Sequence, residues 1–234
     1  MHSIADSLGV AATLIARFDP GLVDIVRLSL AVSFAATLLG ALIGLPLGAA
    51  VAVSPFRGRG AVIALLNALM GLPPVVVGLF VYLMLSRAGP LGQFGLLFTP
   101  GAMVIAQTIL IVPILAALSR QIIEDAWSEY REQLTSLGSG TLDSALTLLW
   151  DTRYSLVTVL LAGFGRAIAE VGAVMIVGGN IAGVTRVMTT TIALETSKGD
   201  LPLALGLGFV LIALVMLLNF AAHATRTWAR ARFG

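Results

Sequence analysis

The chain has 234 residues, of which 58% are hydrophobic and only 11% charged, and its mean hydropathy is +1.00. A water-soluble domain carries about a quarter charged residues, so this composition excludes a soluble globular protein and implies an all-α, polytopic membrane protein. The absence of cysteine excludes disulfides, thiolate metal sites and cysteine nucleophiles, and a net charge of +2 with a pI near 9.5 reflects arginines that orient helices rather than bind nucleic acid.

Residues 1–20 lack the positive start and small-residue cleavage site of a signal peptide and read as an interfacial lead-in ending near Asp19 and Pro20. Five apolar spans follow, at about 28–53, 61–85, 101–118, 155–178 and 203–222, each near the length that a hydrocarbon core of about 30 Å demands of a helix. The second contains Pro73 and Pro74, which are expected to kink it by removing backbone donors. The fourth carries Arg166 and Glu170, and the fifth ends in the basic tail "HATRTWARARFG". His2 and His223 lie near opposite ends and read as interfacial polar residues. With no repeat and no soluble segment of domain size, residues 1–234 read as a single transmembrane domain.

Arginine placement sets the expected orientation. With the carboxy terminus cytoplasmic, the inner segments hold Arg57, Arg59, Arg120, Arg131, Arg153, Arg226, Arg230 and Arg232, against Arg17, Arg27, Arg87, Arg186 and Lys198 outside. The inner excess places the amino terminus outside the cell membrane.

On that orientation the polar stretch 119–154 is cytoplasmic. Its first half, "SRQIIEDAWSEYREQLTSL", is expected to extend the third span as a helix and to stop at Gly138, because glycine accepts a left-handed backbone. A second, short helix follows over roughly 141–150, capped by Ser139 or Thr141, with Asp143 in its first turn where the helix dipole favours an anion. Leu142, Ala145, Leu146 and Leu149 recur at helical spacing and predict one apolar stripe. So short a helix is marginal alone. It lies either on lipid or against a cytoplasmic partner.

This arrangement is similar to the cytoplasmic loop of ATP-binding-cassette (ABC) importer permeases, whose pattern runs E-A-A, three residues, G, nine residues, I-x-L-P. Glu132 and Gly138 stand at that spacing. Gln133 and Leu134 replace the two alanines, Leu148 takes the isoleucine position, and Trp150-Asp151 replaces Leu-Pro. Residues 71–114, beginning "GLPPVVVGLFVYLML", resemble the second and third spans of molybdate- and tungstate-type permeases. Residues 163–200, with "AEVGAVMIVGGN" and "VMTTTIALETSKGD", resemble the corresponding later part, especially in the tungstate branch.

The resemblance implies the permease subunit of an oxyanion importer, with tungstate first and molybdate, sulfate or phosphate as alternatives. It implies a type I permease architecture in which two copies form the pore within the lipid bilayer. A separate ATPase, which would hold ATP and magnesium, would receive the short helix, with Glu132, Gly138, Leu142, Asp143 and Leu146 at the contact. An extracytoplasmic binding protein would deliver the anion. The chain itself has no G-x-x-x-x-G-K-[ST] phosphate loop and reads as a transport subunit rather than an enzyme, with no cofactor or metal of its own.

Several residues keep two readings. Arg166 and Glu170, four apart, either neutralise each other on one helix or act at a dimer axis or gate. Gly178, Gly179 and Asn180 either end a helix or line the pore exit. Thr189, Thr190 and Thr191 either satisfy backbone carbonyls or donate to a passing anion. Arg186 and Lys198 are ordinary solvated charges or docking points for the binding protein. The rival classes are an ion-coupled transporter using Glu170, and a membrane enzyme, for which no catalytic constellation is present.

Overall fold

A computed structural model describes residues 4–233, with side chains at 8–10, 12, 13, 15–225, 227 and 228. His2 and the guanidinium groups of Arg226, Arg230 and Arg232 lie outside the described residues. The described chain is helical: α1 (Ile4–Ala16), α2 (Pro20–Val53), α3 (Arg59–Leu69), α4 (Pro74–Leu85), α5 (Pro100–Ser136), α6 (Thr141–Asp151), α7 (Arg153–Ile168), α8 (Gly172–Gly178), α9 (Met188–Lys198) and α10 (Leu201–Phe233), with one 3-10 turn at Gly92–Phe94. By length and hydropathy α2, α5 and the Leu201–Thr225 part of α10 suffice to cross a membrane. The count reaches five if each of two bent pairs, α3 with α4 and α6 with α7, makes one crossing.

Helix boundaries follow local chemistry. Asp19 Oδ1 accepts from the backbone N–H of Leu22 at 3.0 Å, and Pro20 occupies the first helical position, where its missing N–H costs nothing. In the second span the prolines do more than kink the chain. Helix α3 stops at Leu69, and α4 starts afresh with Pro74 as its first residue. The expected fourth span is likewise two helices, since α7 ends at Ile168 and α8 begins at Gly172.

Two compact units are formed, each from three stretches of chain. The first takes residues 1–35, 74–107 and 167–217. Here Gly78 of α4 lets α8 approach so closely that a Cβ would lie 2.7 Å from Cα of Ala173. Phe98 N–H donates to the carbonyl of Val177 at 3.0 Å, and Ser29 Oγ of α2 receives the N–H of Met188 at the start of α9 at 2.8 Å.

The second unit takes residues 36–73, 108–166 and 218–234. Its centre is a row of glycines on α2, Gly40, Gly44 and Gly48, facing Ile111, Leu115, Ala116 and Ser119 of α5. Small residues every fourth position bring two helix backbones into contact where no hydrophobic effect separates protein from lipid.

Candidate functional site

Helix α5 is 37 residues long, about 55 Å at 1.5 Å per residue and well beyond a hydrocarbon core. Its end is a complete Schellman motif. Gly138 sits at φ +76°, its N–H donates to the carbonyl of Thr135 at 3.0 Å, and Ser139 N–H donates to Leu134 at 3.0 Å. Helix α6 then starts after Gly140, whose extended backbone is the N-cap with no side-chain hydrogen bond. The expected cap by Ser139 or Thr141 is not used, because Gly140 occupies the capping position. Asp143 does lie in the first turn.

The expected single stripe on α6 divides into two faces. Ala145 and Leu148, 8% and 1% exposed, pack with Ala49, Ala52 and Val53 at the end of α2 and Ile123 of α5, and Leu149 joins at the edge. Leu142 and Leu146 stand at 71% and 57% exposure, and Trp150 and Leu137 at 71% and 81%. At about 100° per residue, positions 144, 145 and 148 share one side while 142, 146 and 150 share another, with 149 at the seam. The chain's own α2 and α5 therefore cover one face of α6, contrary to the expectation that only lipid or a partner would. A row of three large apolar side chains remains uncovered on the other face.

Polar contacts join the helix ends around the row. Arg59, at the start of α3, donates from Nε to the carbonyl of Val51 at 2.8 Å and from Nη2 to that of Ala52 at 3.2 Å, closing the otherwise unsatisfied end of α2. The same guanidinium reaches Glu124 Oε1 at 2.7 Å, and Arg120 pairs with Glu124 Oε2. Helices α6 and α7 meet at 76°. At that corner Arg153 donates to the Trp150 carbonyl at 2.7 Å, with its guanidinium 4.7 Å from the Trp150 ring centroid and 4.5 Å from that of Tyr154. Tyr154 in turn meets Trp228 edge to face at 5.3 Å. Glu132 is exposed and lines a 530 Å³ cleft with Arg59, Glu124, Trp127 and Arg131.

Arg166 and Glu170 do not lie on one unbroken helix. Arg166 lies half-buried in the last turn of α7, and Glu170 lies beyond the helix end. The Glu170 side chain is 4% exposed, and its Oε1 accepts the N–H of Ala173 at 3.2 Å, serving the start of α8. Its carbonyl accepts the Thr189 hydroxyl at 2.7 Å.

Gly178, Gly179 and Asn180 form the end of α8. A Cβ on Gly178 would crowd Met103 at 3.1 Å, and one on Gly179, at φ +69°, would lie 2.9 Å from the Phe98 ring. Asn180 adopts φ +50° and accepts from Thr190 Oγ1 at 2.9 Å. Thr190 also accepts the Val187 N–H at 3.2 Å, and Thr191 donates to the Val187 carbonyl at 2.7 Å. All three threonines are buried, and their hydroxyls are engaged in hydrogen bonds inside the fold. Lys198 is paired with the buried Glu195 at 3.0 Å. Arg186 is half-buried beside a cleft.

The threonine geometry carries a test. Thr190→Val keeps the shape but strands Asn180 Oδ1 and the Val187 N–H, each a loss of about 1–3 kcal/mol when buried. The thermal midpoint of the purified protein is expected to fall by several degrees while transport per folded molecule stays unchanged. A loss of transport at unchanged stability would return Thr190 to the translocation path.

The fold is shared with a chain of the inward-facing MetNI methionine ABC transporter, which superposes with a TM-score of 0.73 at 18% identity, covering 90% of this chain and 97% of that one. No family model matches. Among curated proteins, a probable anion ABC transporter permease protein of Haloferax volcanii is 45% identical over 203 residues, 85% of this chain and 88% of its own length. The tungstate uptake system permease protein TupB of Peptoclostridium acidaminophilum is 42% identical over 219 residues, 94% and 96% of the two chains. The chain belongs to the ABC transporter permease family. It is a multi-pass membrane transport subunit, not an enzyme.

Proposed function

We propose that this chain is the membrane-spanning half of an importer for tungstate, working as a homodimer in the cell membrane with its amino terminus outside. A separate ATPase, carrying ATP and magnesium, docks on α6 from the cytoplasm, and an extracytoplasmic binding protein delivers the oxyanion. The observation that carries the coupling role is the row Leu142, Leu146 and Trp150, apolar and exposed on a helix whose opposite face is already packed. An apolar row on a braced helix suits helix-in-groove recognition. The substrate class is supported by relatives at 42–45% identity, whose names specify anion or tungstate transport.

The test is uptake into vesicles holding the permease, its ATPase and its binding protein. ATP-dependent accumulation of tungstate is expected, resisted poorly by sulfate and better by molybdate. Equal accumulation without the ATPase, or sulfate competing as well as unlabelled tungstate, would overturn the reading.

A further inference from the structure

We infer that the 610 Å³ cleft between the first turns of α2 and the loop preceding α9 is a weak receiving site for a tetrahedral oxyanion dianion. Arg27 lines it from α2 and Arg186 from the loop. The inference rests on the importer reading and adds to it a place on the permease itself where the anion is held.

Three observations converge on this cleft. Neither guanidinium has a carboxylate partner among the described residues, and the buried Nε of Arg186 has no hydrogen-bond acceptor. A buried, unpaired donor on a cation is costly, and a dianion beside the guanidinium offsets part of that cost by charge attraction. The backbone segments that carry the two arginines are also tied together before any anion arrives. Ser29, two residues after Arg27, receives the N–H of Met188, two residues after Arg186, at 2.8 Å. On the loop side Thr185, fully buried, donates to the Gly178 carbonyl at 2.6 Å and accepts the Ile181 N–H at 2.9 Å. The carbonyl of Ile181 accepts the N–H groups of Val184, Thr185 and Arg186 at 3.0–3.1 Å, and Gly183 makes the turn at φ +74°.

Asp24 lines the same cleft, one turn before Arg27. Its charge opposes a dianion and keeps the site weak, as a transport path requires if the solute is to leave again. Two guanidiniums against one carboxylate leave a net attraction for an anion of two charges. On the arginine-based orientation both Arg27 and Arg186 belong to the outer side, where the binding protein would release its cargo.

The experiment measures tungstate retained by the assembled permease–ATPase complex in nanodiscs, without binding protein, by equilibrium dialysis and elemental analysis. Binding-protein docking and ATP-driven uptake are measured on the same preparations. Wild type is expected to retain tungstate in a salt-sensitive manner. Arg27→Gln with Arg186→Gln should lower retention about tenfold or more, one decade being the scale of a lost charge-assisted contact. Asp24→Asn should raise it severalfold, and Arg186→Lys should restore only part. Docking should be unchanged throughout.

Loss of docking with retention unchanged would mean that the arginines meet acidic groups of the binding protein, and would overturn the anion site. Unchanged retention in all variants would do the same while leaving the importer reading intact, provided that the wild type still transports. A wild type that moves no oxyanion with ATP would sink the importer reading instead. Should the double variant fail to assemble, Asp24→Asn decides, because the expected effect is a gain and its absence refutes the site.

Discussion

Leu142→Asp combined with Leu146→Asp is expected to weaken ATPase binding by at least about a hundredfold, the loss of two hot-spot contacts at about 1.4 kcal/mol per decade. Uptake should drop to background. The fold should survive, because both side chains already face outward at 71% and 57% exposure and lie one turn apart on a helix anchored by its other face. Carboxylates there cost the isolated permease almost nothing, yet would have to be desolvated in an apolar groove.

The companion change Leu148→Ala has the opposite character. Leu148 is 1% exposed, so truncation removes about 2–5 kcal/mol of packing and unseats α6 from within. The pair of variants separates docking from folding: the first should leave the thermal midpoint within a degree or two of wild type, and the second should lower it sharply. Undiminished copurification of the ATPase with the double aspartate variant would mean that the nucleotide-burning partner contacts some other surface.

The difference between those leucines marks the limit of what the chain alone discloses. Periodicity located α6, and glycine chemistry located the end of α5, because Gly138 at φ +76° depends on local backbone sterics alone. Which leucine faces inward depends on where α2 and α5 end in space, a tertiary fact. Leu146 and Leu148 are the same residue two positions apart, and only the apolar ends of α2 and α5 distinguish them.

Glu170 illustrates a second limit. Read as part of an unbroken span, it stood one turn from Arg166. A break at 169–171 interrupts that helix, and the Glu170 carboxylate accepts the N–H of Ala173. No proline announces that break, and the hydroxyl of Thr189 that reaches the Glu170 carbonyl comes from 19 residues away. The glycine row of α2 was legible in principle, since Gly40, Gly44 and Gly48 recur at a spacing of four. The same spacing is common in helices that merely face lipid, and it gains meaning only from the helix lying against it.

That row supports the second large effect. Gly48→Ala is expected to destabilise the protein by about 3 kcal/mol, at the upper end of the range for forcing atoms into a packed interior, despite the gain of about 1 kcal/mol that alanine usually brings to a helix. The new Cβ would lie 2.6 Å from the Ala116 carbonyl oxygen and 2.9 Å from the Arg120 nitrogen, both backbone atoms, and also against Ser119 Oγ. A hydroxyl can rotate away, whereas backbone atoms move only if the helices part. At Gly44 the nearest atoms are Leu115 Cβ at 2.9 Å and the Val112 carbonyl oxygen at 3.0 Å, and at Gly40 the nearest is an isoleucine methyl at 3.2 Å. Alanine should therefore be worst at 48, intermediate at 44 and close to neutral at 40, as read by thermal denaturation of the purified protein. Adding Ser119→Ala to Gly48→Ala should recover only a minor part of the loss, because the carbonyl clash remains, and a double-mutant cycle isolates that part. Since Ala49, Ala52 and Val53, just beyond Gly48, also form the seat of α6, separation of α2 from α5 should weaken ATPase docking in the same order. A flat series, with equal stability for all three alanines, would mean that the two backbones do not touch along this row.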